Sequence, residues 1–129
     1  EVMRVNLGGC FNMAKACFPG MKDRGWGRIV TVASVAGLRG YAYLGAYAAS
    51  KAGVVRLTEA LAEEVKDRGV TVNAVLPSII DTPTNRADMP DADPSRWVSP
   101  AALASVIAFL LSDDAAPVTG ACLPVSGRV

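Results

Sequence analysis

The sequence predicts an α/β fold, a parallel sheet with helices on both faces. Three observations lead there. Short β-branched apolar runs, Arg28–Val32 and Val70–Leu76, read as buried strands. Between and around them lie longer stretches with apolar residues at helical spacing. The resulting order of helix, strand, helix, strand, helix, strand implies parallel strands joined by right-handed crossovers. Three strands are few for such a sheet, so the chain reads as one flank of a larger doubly wound α/β/α fold.

Each element follows from local chemistry. Val2, Val5, Met13, Cys17 and Met21 mark an apolar helical stripe from about residue 1 to 22, weakened at Gly8 and Gly9. Gly25, Trp26 and Gly27 turn the chain into the first strand. Ser34 to Tyr43 reads as a loop containing Gly37 and Gly40. Residues 45–68 form a long helix carrying Ala48, Ala52, Val55, Leu61 and Val65 on its apolar side, with Gly69 as its C-cap. The second strand follows. Residues 77–99 hold Pro77, Pro83, Pro90 and Pro94 and read as a long functional loop or lid without regular structure. Ser99 and Pro100 open a last helix as N-cap and first residue, running to about Ser112. Ala121–Val125 is a final short strand. The chain starts inside an apolar pattern and without methionine, which suggests a fragment boundary.

Composition removes several classes of function. With 13 basic and 12 acidic residues scattered along 129, the formal net charge is +1, no footprint for nucleic acid. No apolar run reaches the roughly 18 residues that cross a bilayer, and no signal peptide is expected. Cys10, Cys17 and Cys122 are too few for a disulfide framework and read as core thiols of a reducing cytoplasm. There is no histidine. That removes Ser-His-Asp and Cys-His catalysis, and no metal site is expected. Proton chemistry must then use Tyr, Lys, Asp, Glu or Cys.

Ser34, Tyr47 and Lys51 form the informative constellation. Tyr47 and Lys51 lie four apart on one helix face. A cation beside a phenol favours phenolate, whose parent pKa is about 10, and a phenol tuned in this way can exchange a proton with a carbonyl or alcohol oxygen. Ser34, at the end of the first strand, would face the crevice beyond the strands' carboxyl ends, where α/β sheets bind ligands.

The stretch GRIVTVASVAGLRGYAYLGAYAASKAG, Gly27 to Gly53, resembles the active-site segment of the short-chain dehydrogenase/reductase family. Tyr47-Ala-Ala-Ser-Lys51 matches its Tyr-x-x-x-Lys motif, with Ser34 thirteen residues before the tyrosine. Val5-Asn6-Leu7-Gly8-Gly9 matches an Asn-bearing segment of the preceding helix. Asn73-Ala-Val-Leu-Pro77-Ser78-Ile-Ile80-Asp-Thr82-Pro83 resembles the segment after the second strand. Thr119-Gly120-Ala-Cys-Leu-Pro-Val125-Ser126-Gly-Arg128 resembles the family's ending. The resemblance covers essentially the whole chain. Ser78 stands where the family usually has Gly, and Ser126 and Arg128 stand for its usual Asp and second Gly.

The resemblance implies the C-terminal, catalytic half of a Rossmann-type domain, residues 1–129 being a single partial domain whose nucleotide-binding half is absent. It implies interconversion of a carbonyl and an alcohol with NAD or NADP. Tyr47 would be the general acid/base. Lys51 would hold the nicotinamide ribose, and Ser34 would orient the substrate oxygen. Asn6 would hold, through its helix backbone, a relay water. Pro77, Ile80 and Thr82, with Tyr47 and Lys51, would contact the cofactor. The resemblance also implies a cytoplasmic homo-oligomer, dimer or tetramer, packed through helices 1–22 and 45–68, for which Ala46, Ala49, Ala52, Ala60 and Ala62 are small enough. No Gly-rich phosphate turn is present. The isolated chain is therefore expected to bind no dinucleotide tightly and to be inactive alone. Two alternatives stand beside this reading. One is a non-catalytic oligomerisation module. The other is a dihydropteridine-reductase-like enzyme, because Asp81–Arg86, Met89–Asp93 and Arg96-Trp97 resemble that enzyme's substrate-side segment.

Overall fold

A computed structural model describes all 129 residues. Three parallel strands, β1 (Gly27–Val32), β2 (Val70–Pro77) and β3 (Cys122–Val125), form one sheet in the order β1-β2-β3. Gly27 to Val32 pair with Val70 to Val75, and Ala74 to Pro77 pair with Cys122 to Val125. The helices are α1 (Gly9–Arg24), α2 (Gly45–Val65), α3 (Pro83–Asp88) and α4 (Pro100–Leu111). None is long and apolar enough to cross a membrane.

β2 is the centre of the fold and is buried along its whole length. Alternation sorts its side chains between two layers. Val70 and Val72 meet Ala14, Phe18, Leu61, Ala62 and Val65 of α1 and α2. Ala74 and Leu76 meet Val54 and Val55 on the same face. Val75, on the opposite face, packs with Leu103 and Leu110 of α4 and with Val98. Each fully buried aliphatic side chain contributes about 1.5–3 kcal/mol, so these layers hold the strands in register.

Asn73 sits among them with no exposure. Its amide nitrogen donates to the Val118 carbonyl at 2.9 Å, and its oxygen accepts from Ala121 N–H at 2.9 Å. This pair of bonds delivers the chain into β3.

Two sequence expectations need correction, and two become more specific. The helix expected over residues 1–22 is present and runs to Arg24, with a π-helical stretch, Arg4–Gly8, that ends at the glycine pair. Residues 77–99 are not irregular throughout. Thr82 caps α3 by accepting from Asn85 N–H, Pro83 is its first residue, Pro94–Arg96 form a 3-10 turn, and Ile80 bridges to Val98. The cysteines are free and partly buried, and Cys10 and Cys122 pack against the core beside Val54 and Leu76. Ala62 belongs to the chain's own core and is unavailable for packing between subunits.

β1 is also less buried than its composition predicts. Only β2 pairs with it, its other edge is open, and Val32 is 45% exposed. An apolar groove of about 600 Å³ runs along that edge, walled by Met13 and Cys17 of α1 and by Ile107 and Leu111 of α4.

Candidate active site

β1 and β2 run in the same direction, so their carboxyl ends open into one cleft of about 820 Å³. Ser34, Tyr47 and Lys51 all line it. Three local structures place them there.

β1 ends at Val32, two residues earlier than Ser34. The serine instead caps a 3-10 turn, Val35–Gly37. Its Oγ accepts from Ala36 N–H at 3.1 Å, and the residue is 8% exposed. The hydroxyl proton is not used in that bond, so it remains free to donate into the cleft.

Tyr47 and Lys51 lie one turn apart on α2, and the Lys51 ammonium sits 5.8 Å from the centroid of the Tyr47 ring. The ammonium donates to the Val32 carbonyl at 2.9 Å. The Tyr47 hydroxyl makes no hydrogen bond within the chain. Between the two residues, fully buried Ser50 donates to the Tyr47 carbonyl at 2.7 Å and accepts from the Asn6 amide at 3.1 Å. This chain of bonds ties the π-turn to the helical turn that carries the phenol. Gly37 makes the same region tight. A Cβ there would fall 2.8 Å from the Lys51 carbonyl oxygen.

Pro77 and Ile80 line the cleft, whereas Asn6 and Thr82 do not. Asn6 is spent on Ser50, and the Thr82 oxygen caps α3. Arg86 is bound to Asp81, at 2.6 and 2.9 Å. Those hydrogen bonds hold the Asp81 carboxyl below the ordinary carboxylate range, against a smaller opposing effect of desolvation.

Sequence reasoning missed Ser50, Arg39, Tyr41, Asn85 and the C-terminal Ser126 and Val129, all of which border or support the cleft. Only Asn85 had a readable signal, because Thr82-Pro83 is the same cap-and-proline pair as Ser99-Pro100.

The short chain dehydrogenase profile matches residues 1–93. The chain belongs to that family. The 3-oxoacyl-(acyl-carrier-protein) reductase FabG of Pseudomonas aeruginosa is 42% identical over 98% of this chain and 55% of its own length. A solved gluconate 5-dehydrogenase of Burkholderia cenocepacia, in complex with NADP and tartrate, superposes with a TM-score of 0.88 at 33% identity. That match covers 97% of this chain and 53% of that one. A 3-oxoacyl-(acyl-carrier-protein) reductase of Brucella melitensis with bound NAD gives a TM-score of 0.84 at 35% identity, over 97% and 49% of the two chains. The chain thus spans about half the length of the short-chain dehydrogenases it matches.

The cleft can be tested against a nicotinamide dinucleotide by its donor set. One ammonium proton of Lys51 is used on Val32, leaving two for a diol. Pro77, Ser78, Ile79 and Ile80 form an adjoining wall at the strand end. These residues fit the nicotinamide-ribose end of such a cofactor. Gly8 and Gly9 lie inside the first helical segment, and Gly37 and Gly40, between β1 and α2, lack the Gly-x-Gly-x-x-Gly spacing, so the diphosphate has no seat of that kind among these residues.

Proposed function

We propose that this chain is the catalytic flank of an NAD(P)-dependent oxidoreductase that interconverts a carbonyl and an alcohol. The observation that carries the reading is the convergence of Ser34, Tyr47 and Lys51 on one cleft at the strands' carboxyl ends. The family's relatives include a 3-oxoacyl reductase and a gluconate dehydrogenase.

The bound dinucleotide supplies the hydride. In reduction, the Tyr47 hydroxyl donates its proton to the carbonyl oxygen, and in oxidation its oxygen takes that proton back. The Ser34 hydroxyl donates to the same oxygen with the proton that its bond from Ala36 leaves free. Lys51 keeps a positive charge beside the phenol and offers its remaining protons to the ribose hydroxyls. Pro77 and Ile80, which line the cleft, and Thr82 would hold the nicotinamide end of the cofactor. Asn6 would act through the backbone of the π-turn, holding a relay water.

The same reading makes residues 1–129 one side of a larger sheet that continues past β1. The open β1 edge and the apolar groove beside it support this, since parallel sheets are otherwise covered. Self-association through residues 1–22 and 45–68 is supported by Phe11, 50% exposed on α1 and outside the β1-edge groove. A cytoplasmic setting accords with three free cysteines.

The test is ketone reduction by the full-length protein that carries this chain, wild type against Tyr47→Phe. The expected loss in kcat is about 10²–10⁴-fold, with the circular dichroism spectrum unchanged. Equal rates would remove the catalytic assignment.

A further inference from the structure

We propose that Arg39 is a specificity-determining residue of the cleft, a seat for an anionic group, carboxylate or phosphate, carried by the carbonyl substrate. The proposal rests on the oxidoreductase reading above and names its substrate class.

The charge pattern of the cleft is one-sided. Its lining includes two cationic side chains, Arg39 and Lys51, and no Asp or Glu side chain. The Lys51 ammonium is held at the strand end by the Val32 carbonyl. Arg39 has no ion-pair partner in the chain, a state it shares with Arg24, Arg28, Arg68, Arg96 and Arg128. Arg39 is exposed at the rim of the cleft, and its guanidinium rests on Tyr41.

Its Nε donates to the Tyr41 hydroxyl at 3.0 Å, and its guanidinium carbon lies 4.9 Å from the Tyr41 ring centroid. Tyr41 therefore fixes the guanidinium by one hydrogen bond and one face contact. The two terminal nitrogens keep all four of their protons without an acceptor in the chain. Such a fork matches the two oxygens of a carboxylate or phosphate. Arg39 and Ser34 belong to one loop, and the 3-10 turn between them is locked against α2 at Gly37. The loop that holds the serine at the reacting oxygen thus also presents the cation, which fixes where the charged arm of a substrate must lie.

The experiment uses the full-length protein, labelled with ¹⁵N-arginine. The Arg39 Nε–H resonance is assigned by its loss in Arg39→Met. Acetoacetate, inorganic phosphate and the uncharged ethyl acetoacetate are then titrated in. A saturable shift with an anion, absent with the ester, is expected. Tighter phosphate binding places a phosphate-bearing arm there, and tighter acetoacetate binding places the substrate's own carboxylate there. In turnover, Arg39→Met raises KM for acetoacetate about tenfold at little changed kcat, leaves ethyl acetoacetate unaffected, and is partly rescued by Arg39→Lys. No saturable shift, or equal shifts with acid and ester, would overturn the proposal. Failure of the carbonyl chemistry shows separately, as Tyr47→Phe reducing the uncharged ester at the wild-type rate.

Discussion

The Lys51 ammonium donates to the Val32 carbonyl oxygen at 2.9 Å, joining the helix that carries Tyr47 to the last residue of the open edge strand. The bond aims a flexible side chain into the cleft from a fixed point. Lys51→Met removes both the aim and the charge. We expect kcat/KM to fall by about two orders of magnitude or more, while stability changes by no more than about 1 kcal/mol, the worth of one hydrogen bond. Steady-state kinetics and urea unfolding on the same variant separate the two effects. Unfolding that shifts by several kcal/mol would assign Lys51 a structural role instead.

Gly37 sets the distance between the Ser34 turn and α2. Its added Cβ would meet backbone at 2.8 and 2.9 Å, where no side chain can swing aside, while a Cβ at Gly40 meets nothing within 4 Å. Gly37→Ala should therefore cost about 1–3 kcal/mol by overpacking and lower activity by moving Ser34 relative to Tyr47. Gly40→Ala should do neither. Thermal melts of the two variants give the comparison, and matching melting temperatures would contradict it.

Ser50 links Asn6 to the Tyr47 backbone from a fully buried position. Because Asn6 and Ser50 share one bond, their substitutions should not add. Asn6→Ala and Ser50→Ala are each expected to cost about 1–2 kcal/mol, with a coupling of about 0.5 kcal/mol or more in the double variant. Additive losses in chemical denaturation would show that the link carries no energy.

How much of this was legible in the sequence depended on whether the signal is local. The α2 start, the Gly69 turn and the Ser99-Pro100 cap are set by neighbouring residues, and they stand where propensity puts them. Tyr47 and Lys51 share a face because a helical period requires it. Arg28–Val32, by contrast, has the composition of a buried strand, and nothing within it reveals that one edge lacks a neighbour. The departures Ser78 and Ser126 read as two separate anomalies 48 residues apart. Folding brings them together, because Pro77 pairs with Val125 and the Ser78 hydroxyl donates to the Ser126 carbonyl at 2.8 Å. The extra hydroxyl thus ties the wall of the cleft to the C-terminal segment. Ser126 and Val129 join the cleft through tertiary contacts of this kind, which no periodicity encodes.

The Asp81–Arg86 pair closes the first turn of the lid over Thr82 and Pro83, and it makes the lid sensitive to acid. Hydrogen bonds from the guanidinium depress the folded-state pKa of Asp81. A depressed carboxylate contributes stability above its unfolded pKa, about 3.9, and loses that contribution as pH falls through the lower folded value. From neutrality down to about pH 5 the pair should therefore stay intact, and below about pH 4 it should begin to open. Both side chains face solvent, so the effect is local rather than global. Amide exchange across Thr82–Asp88 at successive pH values, corrected for intrinsic rates, should show protection falling only in the acid range. Asp81→Asn should show low protection at every pH. Since Asp93 also titrates low, through its bonds from Ser95, the informative quantity is the difference between the wild-type and Asp81→Asn profiles. Superimposable profiles would mean that the pair does not hold the lid.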